Sequence, residues 1–159
     1  MDYISLNDFK LGWIFRHREL PVPSEHLELI RPMAKASANQ FWKTHISKEA
    51  SHASHFMSDD WPSRNGVWEE AKEPWEPSWE SDDSALPEAM AAAIPWEANV
   101  TVYYCYDMDN VIQTRWDIFC QHWKNFLFMD DHTLLLAKGR QDVVQFFSDG
   151  TYQLGKRPK

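Results

Sequence analysis

Val100-Thr101-Val102-Tyr103-Tyr104-Cys105-Tyr106, followed at once by Asp107-Met108-Asp109-Asn110, is the stretch that decides the fold. β-Branched and aromatic side chains suit a pleated surface, and Asp and Asn are corner residues, so the stretch reads as a strand ending in a turn. The same grammar returns downstream. Residues 133–137 and 142–147 read as strands joined through Lys138-Gly139-Arg140-Gln141, and Asp149-Gly150 turns the chain into a third strand at 151–154. Between the first strand and this meander, Thr114 and Asp117 have the spacing of a helix cap. Trp116, Phe119, Cys120 and Trp123 then fall on one helical stripe that a sheet would cover. The expected class is α+β: one antiparallel sheet, a C-terminal meander built mainly from residues 99–155, packed against N-terminal and central helices.

The first third is expected to be helical. Ser5 and Asp8 form a capping pair, with Leu6, Phe9 and Trp13 on one face. Pro21-Val22-Pro23-Ser24 ends that element and restarts the chain, with Ser24 as the next cap and Leu27 and Ile30 turned inward. Pro32 separates a short helix ending near Arg31 from a second helix with Phe41, Trp42 and Ile46 near its far end; a single kinked helix is the alternative. Another short helix is expected after Ser47. Ser84 is expected to cap a helix through Ala93, since Leu86, Met90 and Ile94 recur by fours.

One segment carries the charge. Residues 59–97 hold five of the nine tryptophans and eleven carboxylates against only Arg64 and Lys72, a formal charge of −9, so the chain's net −8 comes from there. Pro62, Pro74, Pro77 and Asn65-Gly66 argue against a continuous helix, and 59–83 reads as an acidic Trp/Pro-rich loop within a single domain spanning 1–159. Aromatic side chains in a polar loop need an apolar surface, either their own domain or a partner. As a docking surface, Trp68, Trp75 and Trp79 would anchor a basic protein while Glu76 and Glu80 steer it. As an inward-facing loop, the same tryptophans would pin it to the core.

Composition sets outer bounds. At 159 residues, 43% hydrophobic and 14% aromatic, the chain can close a core without staples. It has no apolar run long enough to span a bilayer and no signal-peptide pattern at its start, so a cytoplasmic location away from membranes is expected. The two cysteines, Cys105 and Cys120, read as reduced core residues, with a bridge between them left open. A pI near 5.3, with only Lys156-Arg157-Pro158-Lys159 basic, argues against a nucleic-acid surface.

Metal-binding candidates are fewer. His45, His52 and His55 are grouped in sequence, and imidazoles bind transition metals. Asp107-x-Asp109-Asn110 and Asp130-Asp131-His132 flank strands and could converge on Mg²⁺, although Asp and Asn are also ordinary corner residues. No Gly-x-Ser-x-Gly elbow, phosphate-binding Gly-Lys-Ser/Thr loop or dinucleotide fingerprint exists.

Asp8-Phe9-Lys10, Trp13-Ile14-Phe15, 21–27, Asp60-Trp61-Pro62, 79–83 and 122–128 together resemble an uncharacterised family of small gammaproteobacterial proteins, classed as a domain of unknown function. That resemblance implies no activity, cofactor or catalytic residue. Residues 116–132 are also similar, over that stretch alone, to segments of immunity proteins that neutralise bacterial toxins. The expected function is a small non-catalytic binding or regulatory protein that needs no cofactor. A metal-assisted hydrolase or phosphoryl-transfer enzyme is the alternative, and whether the chain is a monomer or a homodimer stays open.

Overall fold

The structure, a computed structural model, describes residues 1–158. In chain order its elements are α1 (Ser24–Leu27), β1 (Arg31–Pro32), α2 (Lys35–His45), β2 (Glu73–Pro74), α3 (Glu76–Glu80), α4 (Glu88–Ala93), β3 (Thr101–Asp107), β4 (Asn110–Arg115), α5 (Trp116–Phe126), β5 (Thr133–Ala137), β6 (Asp142–Phe146) and β7 (Thr151–Lys156). The strands form one seven-stranded antiparallel sheet in the order β1-β4-β3-β5-β6-β7-β2, so the fold is α+β.

Each face of the sheet is covered. Val102, Tyr104, Tyr106, Ile112, Leu135, Val144 and Phe146 meet α5 and the N-terminal turns on one side. Cys105, Val111, Leu134, Leu136 and Val143 meet Phe41 and Trp42 of α2 and Trp61 on the other. This double burial explains why β5 is buried at every position, and apolar at all but Thr133, where a one-sided strand would alternate. Aromatic rings fill the larger core: Tyr104 lies 5.6 Å from Phe119 and 5.3 Å from Phe126, and its hydroxyl bonds Thr133 Oγ1 at 2.7 Å.

Several expected boundaries shift. The N-terminal helix is only a 3₁₀ turn over Gly12–Phe15, which buries Ile14 and Phe15 but leaves Trp13 45% exposed. A Cβ at Gly12 would collide with the Leu6 carbonyl oxygen, so glycine lets that turn close. Arg31 and Pro32 are not helical; they form the edge strand β1 beside Gln113 and Ile112. Ser24 is the first residue of α1 and Pro23 occupies the cap, while Pro87 takes the capping place expected of Ser84 and α4 is correspondingly shorter. Thr114 caps nothing, because it lies in β4 and its hydroxyl donates to the Leu29 carbonyl at 2.8 Å. The cysteines are both free thiols.

The acidic run is an ordered strap. It adds β2 at the sheet edge beside β7, forms the short helix α3, and bridges Trp68 to Gly155 farther along β7. Both outermost strands, β1 and β2, are two residues long and contain a proline, Pro32 and Pro74.

Candidate functional site

The tryptophans hold the strap down. Four of the five indole N–H groups in 59–97 donate to backbone carbonyls, Trp61 to His45 at 2.7 Å, Trp68 to Pro62 at 2.8 Å, Trp75 to Phe147 at 3.2 Å and Trp79 to Lys124 at 2.9 Å, while that of Trp96 is buried without a partner among the described residues. Trp75 is 6% exposed and belongs to the core, and Trp68 and Trp79 are partly buried. The carboxylates take the opposite side. Glu69, Glu70, Glu73, Glu76, Glu80, Asp82, Asp83 and Glu88 are all exposed. Among the described residues, the ion pairs are His52–Asp131, Arg115–Asp117, His132–Asp131 and Lys156–Asp142, so none of those eight has a cationic partner.

Where the strap passes α5 a cleft of about 470 Å³ opens, walled by His17–Pro21, Trp79 to Ser84 and the second half of α5. Three bonds fasten its far wall. Besides the Trp79 bond, the Lys124 ammonium donates to the Ser81 carbonyl at 2.7 Å and the Trp123 indole to Ser84 at 3.0 Å. Its near wall is tied by Asn125, whose amide donates to the carbonyls of Ile14 and Leu20, both at 2.9 Å. Phe128 is the aromatic centre, 5.4 Å from Trp79, 5.1 Å from His17 and 5.9 Å from the exposed Trp13. Glu19 and Asp82 place carboxylates at the rim.

α5 is interrupted here. His122 leaves helical geometry, with φ −123° and ψ 18°, and its Nε2 lies 2.7 Å from His26 Nδ1 on α1. One imidazole must donate and the other accept, so the pair tolerates no more than one extra proton. Burial, and then His26 beside it, hold His122 below the ordinary imidazole value.

The histidines and acidic corners named from sequence end up in three places. His45 packs against Phe41 at 4.5 Å, and burial followed by the nearby Arg157 charge lowers its pKa. His52 and His55 do neighbour each other, with centroids 6.3 Å apart, and His132 joins His52 at the same separation. Asp131 bridges that group, 3.6 Å from His52 Nε2 and 2.7 Å from His132 Nδ1. The Ser54 amide donates to His52 Nδ1 at 3.0 Å, which places the neutral ring's proton on Nε2, aimed at Asp131, and leaves no lone pair there for a metal. Ser54 Oγ, His52 and Asp131 thus form a chain, and His52 serves as the cap of the Ala53–His55 turn. Asp107 accepts from the Asp109 amide and Asn110, and Asp109 accepts from Asn39, which accounts for that corner as turn chemistry. Burial, then Asp131 and Glu76, raise the pKa of Asp130. Among the described residues, no three His, Cys, Asp or Glu side chains are placed to share an ion, and no helix is long and apolar enough to cross a membrane.

Of the sequence-derived candidates, only Trp79 lines the cleft. His17, Glu19, Asp82, His122, Lys124 and Phe128 escaped spacing arguments because they come from three distant segments. A signal was nonetheless present: 21–27, 79–83 and 122–128, three of the stretches that carry the family resemblance, meet at this point.

The family model described as "Protein of unknown function (DUF2947)" matches residues 3–155, and the chain belongs to that family. No curated protein and no solved structure matches it.

Proposed function

We propose that this family member is a non-catalytic cytoplasmic docking protein that takes a basic segment of a partner protein across the strap and into the cleft beside it. The observation that carries the reading is the fixed juxtaposition of an aromatic cleft with exposed carboxylates that have no cationic partner among the described residues. Anchoring by Trp61, Trp68, Trp75 and Trp79 holds those carboxylates in place before any partner arrives, which lowers the ordering cost of binding. Trp13, Phe128 and Trp79 offer the aromatic contact that interfaces concentrate, and Glu19 and Asp82 favour a Lys or Arg side chain lying against it. α5, which forms one wall, lies within the segment that resembles immunity proteins, and that likeness also favours a protein partner. Of the contacts first assigned to recognition, Glu76, Glu80 and Trp79 remain in this role, whereas Trp68 and Trp75 support it from beneath.

Titration with hexa-arginine, read by tryptophan fluorescence and amide chemical shifts, tests the reading. Binding is expected to weaken with salt and to fall by at least about tenfold in a Glu80→Lys, Asp82→Lys, Asp83→Lys variant. Equal binding by wild type and the charge-reversed variant, or equal affinity for hexa-glutamate, would remove the basis of the assignment.

A further inference from the structure

The molecule's other notable cleft has the opposite chemistry. A space of about 570 Å³ lies between Thr44 and His45 at the end of α2, Gly139, Arg140 and Gln141 of the β5–β6 hairpin, and Arg157 beyond β7, with Trp61 as a wall. Among the described residues no carboxylate lines it, in a chain of net charge −8. Arg157 is fixed there by the backbone, its Nε donating to the Arg140 carbonyl at 3.0 Å and its Nη2 to Ala137 at 2.7 Å. Two of the five guanidinium N–H groups are thereby used, which leaves three for a ligand. Among the described residues no acid pairs with Arg157, and partial burial without a counter-ion lowers its pKa. Arg140 is exposed, and among the described residues its guanidinium makes only a 3.5 Å contact with the neighbouring Gly139 carbonyl.

Two features oppose an anion here. The C-terminal end of α2 carries partial negative charge, but the Trp61 indole already donates to the His45 carbonyl. Glu49, Asp59 and Asp60 line the adjoining cleft behind His45 and Trp61, but Lys43, Lys48 and Arg64 line it too, and Asp60 is engaged by the Ser47 hydroxyl and the Met57 amide, both at 2.8 Å. Neither feature matches two guanidinium groups lining one space with the Thr44 hydroxyl, an imidazole and the Gln141 amide, which spends one N–H on the Arg157 carbonyl at 3.2 Å. We propose that this cleft is a binding site for the phosphate dianion of a small phosphomonoester, with Arg157 and Arg140 as the charged contacts and His45 as a third donor once protonated. Arg157, preset by its two carbonyl bonds, presents the planar fork that matches phosphate oxygens. The site is separate from the strap and stands whether or not the strap binds a basic partner.

Inorganic phosphate, AMP and sulfate are titrated against the full chain, with chloride at matched ionic strength as the control, and followed by amide shifts and calorimetry. Saturable shifts are expected at 44–45, 139–141 and 157, with affinity reduced by at least about tenfold in Arg140→Ala, an exposed substitution that spares the hairpin bonds. Sulfate stays a dianion across the imidazole range, so its binding should tighten below pH 6.5, and His45→Gln should remove that tightening while retaining binding. Shifts no larger than those with chloride, or Arg140→Ala matching wild type, would overturn the site. Binding of free phosphate with refusal of AMP would overturn the ester assignment.

Discussion

Trp13 and Trp75 show how little a tryptophan's identity says about its use. Trp75 is enclosed, its ring in the core and its N–H on Phe147, whereas Trp13 stands half in solvent against Phe128. Trp75→Ala should therefore cost about 3–5 kcal/mol, through lost transfer energy and the void left behind. Trp13→Ala should cost under about 1 kcal/mol and instead weaken hexa-arginine binding. Urea unfolding of both variants checks the contrast, and comparable losses would contradict it. The His26–His122 pair adds a pH dependence. His122 is held below 6.5 when folded, so below 6.5 the unfolded chain takes up a proton that the folded chain refuses. Its contribution is complete above 6.5 and declines as pH falls toward the folded-state value. Urea midpoints on either side of 6.5 should differ less in His122→Asn than in wild type.

At the level of elements, the strap depends on close backbone approach to β7. A Cβ at Gly155 would lie 2.6 Å from Trp68 Cε3 and 2.8 Å from the Val67 carbonyl oxygen, and the carbonyl has no flexible side chain to yield. Gly155→Ala should cost about 1–3 kcal/mol and speed amide exchange over 67–75 while leaving β3 and β5 protected. Exchange unchanged in the strap would show that Trp68 is not its fastening. β3, β5, β6, β7 and the buried stripe of α5 were legible in the sequence because apolar runs bounded by turn residues say which segments need covering. β4 was not, since Asn110-Val111-Ile112-Gln113 follows a turn and only pairing with β3 makes it a strand. α3 was hidden by Pro77, which a first helical turn accepts. The cleft was less legible still, because His26 and His122 are 96 residues apart and nothing local announces that they meet.

At the scale of the whole molecule, charge is divided into two territories, an acidic strap and the basic Arg140–Arg157 cleft, each with little local compensation. Repulsion among the strap carboxylates works against the folded state and is screened by salt. Moderate NaCl should raise stability by about 1 kcal/mol, or about 2–4 °C in Tm, and Glu70→Lys with Glu73→Lys should shrink that response. A Tm that falls with NaCl in wild type would mean that net attraction dominates. The two proline-bearing strands that close the sheet also decide how this protein can be approached. Neither rim offers a long row of free backbone groups, so an incoming chain gains little by lying down as an eighth ribbon. Whatever docks must be read through its side chains, and a guest could arrive as a helix, a coil or a lone charged tip without having to be straightened first.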